Sequence, residues 1–287
     1  MAEGPWKHVA EGVFQRRYDP LDITVGAVLG GQGVAIIDTR NNAPEAQEIL
    51  DEATTQFGLP IVAVINTHAH YDHTFGNQLF AQRGIPIYGH HRIPAHFEQF
   101  EKPRLEMVQR STELEPEMNW SGVTLTPPSH LLAEPCTANL GGREVELIPL
   151  GAGHTDTDLA IHIPDAKAWF LGDVIEQSGP PMFGSGAYPM KWPVVLQSLL
   201  ARIQPGDVIV PGHGEPVDRE FVVRQMHCFE LLATTLGSAH EKGAAIKDIA
   251  FPAELQELWP ADFLLEAAKD AYAQLPGNAK EPGKRGA

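Results

Sequence analysis

Residues 68 to 73 read His-Ala-His-Tyr-Asp-His, which places three imidazoles and a carboxylate within six positions. That ligand set suits Zn²⁺ or another borderline divalent ion. The segment just before it, Ile61-Val62-Ala63-Val64-Ile65, is a β-branched apolar run and reads as a buried strand. Asn66-Thr67 then carries the chain onto a loop at the edge of a sheet, where a site is held rigidly yet stays open to solvent. With 13 His in 287 residues, a random window of this length holds far fewer than one. The plain alternative is a solvated polar loop or a helix start capped by Asp72. The density of ligands weighs against it and for metal binding.

A His-x-His-x-Asp-His cluster after a hydrophobic strand resembles the metallo-β-lactamase-fold hydrolases. The resemblance implies three further ligands in a fixed order. The first is a lone His in a Gly-rich turn, matched by Gly151-Ala152-Gly153-His154-Thr155 after Leu147-Ile148-Pro149. The second is an acid at a strand end, matched by Asp173 in Trp169-Phe170-Leu171-Gly172-Asp173, and the third is His213 in Pro211-Gly212-His213-Gly214. The likeness covers roughly residues 10 to 235. Each site repeats one grammar, an apolar β-rich run, a Gly-rich turn and a metal-competent residue, and glycine lets a backbone turn tightly and approach a ligand closely. Such strand ends converge only if the strands lie side by side along one rim.

The resemblance implies an α/β fold, the αββα sandwich with two mixed sheets flanked by helices. It further implies two Zn²⁺ per chain, with iron or manganese as alternative metals. His68, His70 and His154 would hold one ion, Asp72, His73 and His213 the other, and Asp173 would bridge them. Dinuclear hydrolytic sites set their metals about 3.5–4 Å apart and bring the pKa of water to roughly 7, so a bridging hydroxide would be the nucleophile. Asp72 and Asp173 are the catalytic candidates, Asp72 as the residue that orients the hydroxide or shuttles a proton. Lactamases of the best-known type carry Cys at the position of Asp173 and Lys at that of Glu176. The present pattern is more similar to glyoxalase II, lactonases and related thioesterases. The expected function is hydrolysis of an ester, thioester, lactone or amide carbonyl rather than dedicated β-lactam hydrolysis. An alternative in the same fold is a mononuclear iron persulfide dioxygenase, using the equivalents of His68, His154 and Asp173. A flavodiiron reductase fits less well, because Glu would be expected at His70.

Charge and composition narrow the partners. A net charge of −16 repels phosphate backbones, so the expected partner is a small-molecule substrate, with no nucleic acid and no membrane; a homo-oligomer is compatible with the sequence. No run reaches the roughly 18–20 apolar residues that span a bilayer, and no signal-like segment opens the chain. With Cys136 and Cys228 alone there is no disulfide framework, so the cytoplasm is the expected compartment and buried packing the expected role of both thiols.

Three regions follow: a catalytic domain over 1–240, a C-terminal helical extension over 241–275 packed on it, and a tail over 276–287 that lacks apolar residues and reads as disordered. Within the first, strands are expected at 12–14, 23–29, 34–38, 61–65, 85–88, 140–150, 160–170 and 207–210. Helices are expected at 44–57, 74–82 and 193–203, and later at 217–240 and 253–274. Residues 91–135 are less regular and read as helices that cover part of the site. The Gly- and Pro-rich stretch 177–193 is the candidate substrate loop. Tyr188 would donate to an oxyanion, Lys191 would pair with a substrate carboxylate, and Phe183 and Trp192 would wall the pocket. His90 and His91 follow a strand but fall outside the ligand set, as structural or surface residues.

Overall fold

Alternating apolar runs and turn signals build the elements, and the computed structural model describes them over residues 4–111, 113–115 and 118–276. Four strands open the chain: β1 (Lys7–Ala10), β2 (Val13–Tyr18), β3 (Ile23–Gly30) and β4 (Gly33–Ile37). They pair antiparallel in sequence, and Gly31-Gln32 forms the two-residue turn that sets Gly30 opposite Gly33. Asn42 then caps helix α1 (Ala43–Phe57) by accepting from Glu45 N at 2.9 Å, Pro44 occupies its first turn, and Gly58 closes it at φ 65°. This helix returns the chain so that β5 (Ile61–Ile65) lies parallel to β4, with Ile37 opposite Ile65. Next come α2 (Tyr71–Thr74), α3 (Asn77–Gln82), β6 (Ile87–His90), α4 (Ile93–His96), a π-helical turn at Phe97–Glu101, α5 (Lys102–Arg110) and β7 (His130–Leu132).

The second half is β8 (Cys136–Asn139), β9 (Glu144–Pro149), β10 (Leu159–Ile163) and β11 (Ala168–Glu176), antiparallel throughout, then α6 (Trp192–Leu200) and β12 (Val208–His213), which is parallel to β11. Helices α7 (Arg219–Glu241), α8 (Ala253–Leu258) and α9 (Ala261–Gln274) follow. Strands alternate their side chains between two faces, and each half buries both. Ala35, Ile37, Ala63 and Ile65 meet Leu147, Ile161, Phe170 and Val210 in a layer between the halves. Val34, Ile36 and Val64 face Ala46, Ile49 and Ala53 of α1 on one outer side. Trp169, Leu171 and Ile209 face α6, α7, α8 and α9 on the other. This is the mixed α/β metallo-β-lactamase layering, with one refinement. Hydrogen bonds join the two halves into a single 12-stranded sheet in the order β7-β6-β5-β4-β3-β12-β11-β10-β9-β8, with β1 and β2 alongside β3. The seam is one residue pair, His213 with Ile23.

Several element boundaries differ from expectation for local reasons. The stretch 160–170 is two strands, because Pro164–Ala166 forms a 3-10 turn that Lys167 closes at φ 51°. The helix expected over 74–82 is broken at Gly76, and that over 253–274 at Pro260. Gly141 and Gly142 take positive φ and turn the edge strand β8 into β9, so β9 starts at Glu144. Cys136 lies on that edge strand and is exposed, whereas Cys228 is buried as expected. His90 is buried, its Nδ1 accepting from Arg92 N at 3.2 Å, and His91 is exposed. Of the C-terminal tail, residues 277–287 lie outside the described residues. Among the described residues no helix is long and apolar enough to cross a membrane.

The C-terminal helices complete the outer layer that backs the second half-sheet. Trp259, 6% exposed, sets its ring 5.4 Å from Phe229 of α7 and 6.3 Å from Phe183. Trp259→Ala should therefore destabilise the protein by about 3–5 kcal/mol, as expected for a large buried aromatic. Urea unfolding followed by tryptophan fluorescence measures it. A loss below about 1 kcal/mol, the scale of ordinary surface changes, would show that α8 and α9 contribute nothing to the core.

Candidate metal centre

Four separate segments deliver polar side chains to one place at the rim of the sheet. After β5, Thr67 leads into His68 and His70, and α2 begins at once, so that Asp72 and His73 are buried in its single turn. His154 comes from the loop after β9, Asp173 from β11, and His213 from the end of β12. Two glycines make this convergence sterically feasible. Gly172 takes φ 53°, and a Cβ there would stand 2.7 Å from Thr67 Cβ; a Cβ at Gly212 would overlap Asp173 Oδ1. Thus close approach requires both of the glycines that precede Asp173 and His213, and at Gly172 the backbone conformation requires it as well.

The cluster has two halves that share one carboxylate. In the first, His70 Nδ1 lies 3.2 Å from His68 Nε2 and 2.8 Å from His154 Nε2. In the second, Asp72 Oδ2 lies 3.7 Å from His73 Nε2 and 3.4 Å from His213 Nε2. Asp173 stands between them. Its Oδ2 is 3.7 Å from His68 Nε2, 3.5 Å from His154 Nε2 and 3.5 Å from His213 Nε2, while Oδ1 is 3.1 Å from His73 Nε2. His68, His70, His154 and Asp173 form one group with metal-ligand spacing, and Asp72, His73 and His213 form another.

Each ring is wired by its other nitrogen. His70 Nε2 donates to Ser185 O at 3.0 Å, His154 Nδ1 to Met182 O at 3.2 Å, and His213 Nδ1 to Leu21 O at 2.8 Å. His68 Nδ1 lies 3.1 Å from Thr67 Oγ1, whose own proton goes to Asp38 Oδ2 at 2.7 Å, so His68 is the donor there. His73 Nδ1 donates to Asp38 Oδ2 at 2.8 Å. The ring protons being committed outward, unprotonated nitrogens of His68, His70 and His154 face one another inside, an arrangement that calls for a cation. His73 Nε2 and Asp173 Oδ1 are buried with no well-formed hydrogen bond and face only each other, at 3.1 Å, an arrangement a metal ion between them would satisfy.

Electrostatics divides the halves. Burial holds His68 well below the ordinary imidazole value, lowers His70, and brings His154 to about 3. Burial acts in the same sense on His73 and His213, but the charges of Asp173 and Asp72 outweigh it and raise both well above the ordinary value. Burial would raise the two carboxyls; the facing imidazoles nevertheless hold Asp173 well below its usual range and Asp72 below it. Metal binding would displace those imidazole protons. Nearby, burial above all pushes Glu176 up to about 8.

Asp38 also belongs to the site, although in the sequence it is only an acid at the end of an apolar run. At φ 66° it turns back to accept from Thr67 N, Thr67 Oγ1 and His73 Nδ1, serving both halves. Such outer partners are worth about 10–100-fold in metal affinity. Asp38→Asn should lower divalent-metal affinity by that factor while the protein stays folded, as read with Zn²⁺ as the probe ion by competition with a chromophoric chelator. Unchanged affinity would deny Asp38 any part in orienting the rings.

A cavity of about 460 Å³ opens over His70, Asp72, His154, Asp173 and His213. Leu21, Tyr71, Pro180 and Met182 give it apolar walls, and Arg104 is the one Lys or Arg among its lining residues. Of the loop residues singled out from sequence, none lies on this lining. Phe183 is buried against Trp192 and Phe229. Trp192 is buried with its ring 5.4 Å from His154, backing that imidazole. Lys191 is exposed, with Nζ 5.2 Å from the centroid of the half-buried Tyr188 ring. The loop reaches the cavity through Ser178, Gly179, Pro180, Met182, Gly184 and Ser185 instead. Glu101 of the π-helical turn also lines it, accepting from Ser185 Oγ at 3.2 Å; no spacing in the sequence marks that contact.

Known proteins are similar to this chain to differing extents. Metallo-beta-lactamase type 2 of Bacillus cereus is 24% identical over 230 residues, covering 79% of this chain and 78% of that protein. Metallo-beta-lactamase IND-1 of Chryseobacterium indologenes is 25% identical over 186 residues, 64% of this chain and 68% of that one. Among solved structures, a metallo-beta-lactamase from Pontibacter korlensis superposes with TM-score 0.61 at 19% identity, covering 78% of this chain and 98% of the other. A double mutant of the sec-alkyl sulfatase PisA1 superposes with TM-score 0.77 at 20% identity, over 98% of this chain and 52% of that one. Both structures share the fold. The sequence profile of the metallo-beta-lactamase superfamily matches residues 18–213, from the last residue of β2 to the final histidine of the cluster. With the profile, the fold and the clustered His and Asp side chains in agreement, the chain belongs to the metallo-beta-lactamase superfamily.

Proposed function

We propose that the protein is a dinuclear zinc hydrolase acting on the carbonyl of an ester, thioester, lactone or amide. Its superfamily consists mostly of metallohydrolases. The observation that carries the reading is the position of Asp173, whose two oxygens reach His68, His154, His213 and His73 at 3.1–3.7 Å. A carboxylate placed so is the bridge between two three-residue ligand sets. His68, His70 and His154 make an all-imidazole set of the kind zinc takes readily, and Asp72, His73 and His213 complete a second. When bound, two such ions supply Lewis acidity and a water of lowered pKa at neutral pH.

The chain's own residues do the rest. Asp72 Oδ2, 3.4 Å from His213 Nε2 and on the cavity lining, is placed to take a proton from attacking water and return it to the leaving group. Leu21, Tyr71, Pro180 and Met182 present an apolar wall to the acyl part of a substrate. The cavity fits a small molecule, and the net charge of −16 disfavours polyanions. Asp173 and Glu176 replace the Cys and Lys of the best-known lactamases, so β-lactams should be poor substrates. The filled second ligand set argues against a mononuclear iron dioxygenase.

Metal removal tests this directly. Chelated protein should lose hydrolysis of a thioester, lactone and aryl ester panel and regain it in step with two Zn²⁺ per chain. A β-lactam and an alkyl sulfate belong in the panel because the similar proteins carry those names. Asp173→Asn should lower the rate by orders of magnitude, and His154→Ala should lower both zinc content and rate. Full activity at one equivalent, or a single iron with persulfide oxidation, would overturn the reading.

A further inference from the structure

Glu176 has no role in the ligand sets described above, yet it is 5% exposed and belongs to the same cluster. Its carboxylate, that of Asp173 and the His213 imidazole place one ligand atom each within 4.8 Å of one another. The placement has a backbone cause. Residues three apart on a regular strand point to opposite faces, so Asp173 and Glu176 would ordinarily diverge. The pairing of β11 with β12 slips between Gly172 and Glu176, which sets Glu176 directly opposite His213. A bulge of this kind re-aims side chains next to a site. Gln225 holds the irregular segment, accepting from Glu176 N at 3.2 Å and donating to Val174 O at 3.2 Å. Ser178 occupies one oxygen of the carboxylate, Oε1, through its N at 3.3 Å and Oγ at 3.0 Å. Glu176 also lines the cavity over the cluster.

We propose that Glu176 is an additional ligand of the second metal position, giving it five protein donors and a preference for a harder divalent ion such as Mn²⁺. The inference rests on the dinuclear reading above. Asp72, His73, Asp173, Glu176 and His213, with one water, make an oxygen-rich six-coordinate set of the type Mn²⁺ takes, whereas the three-imidazole position suits zinc. The same chain would thereby hold two unlike ions, sorted by donor chemistry.

Metal-free wild type and Glu176→Gln protein, each preloaded with one equivalent of Zn²⁺, are titrated with Mn²⁺ while electron paramagnetic resonance reads the free ion. Wild type should bind one Mn²⁺ per chain, and Glu176→Gln should bind it at least tenfold more weakly while still taking up two Zn²⁺ when zinc alone is offered. That zinc uptake shows the variant is folded. If Glu176→Gln fails to fold, Glu176→Asp, which shortens the carboxylate by one methylene, should weaken Mn²⁺ at least fivefold with zinc uptake unchanged. Mn²⁺ affinity within twofold of wild type in the folded variant would overturn the ligand role of Glu176 and leave the dinuclear reading intact. Wild type that takes two Zn²⁺ but no Mn²⁺ would overturn the preference for a harder ion. Wild type that takes one ion in all would overturn the dinuclear reading and this inference together.

Discussion

A single carboxylate set among buried imidazoles is the constraint on which the rest of the site depends. Asp173 is 5% exposed and within 3.7 Å of four imidazole nitrogens. A lone carboxylate at that depth would be strongly disfavoured unless cations faced it. The fold answers by bringing four separate segments to the same spot: the turn after β5, the loop after β9, the strand β11 itself and the end of β12. The seam between the half-sheets lies here too, since His213 is both a member of the cluster and the residue that pairs with Ile23. The joint that makes one sheet of two halves is therefore also part of the metal site.

Around this centre the protein spends other interactions on orientation. Five imidazoles have their outer nitrogens tied to Ser185 O, Met182 O, Leu21 O, Thr67 Oγ1 and Asp38. Two of those acceptors lie in the stretch after β11, so that loop fixes His70 and His154 with its backbone while shaping the cavity with its side chains. Sequence variation at Met182 or Ser185 can change the cavity without disturbing a ligand, because the ligands hold carbonyl groups.

Much of this architecture was legible in the sequence because it depends on local signals. The β-branched run 61–65 is a strand with those bounds, and Pro44 and Gly58 mark α1 almost to the residue. The seven expected ligands fall in one cluster because each lies on or just after an apolar strand run, with a glycine immediately before His154, Asp173 and His213. Long-range geometry was not legible. Asp38 looks like any acid after a strand; only the fold sets it beside Thr67 and His73. The loop aromatics Phe183 and Trp192 carry no mark that tells a cavity wall from a core, and α7 with Trp259 claims them for the core. Glu176 needed the slipped register of β11, which pairing with another strand creates and no periodicity reveals.

The central claim is that Asp173 joins two metal ions, and anomalous diffraction from zinc-loaded crystals tests it most directly. Data collected on either side of the zinc absorption edge should show two peaks about 3.5–4 Å apart. One peak should lie among His68, His70 and His154, the other among Asp72, His73 and His213, with the Asp173 carboxylate between them. A single peak, or two peaks with Asp173 bound to neither or only one, would contradict the account.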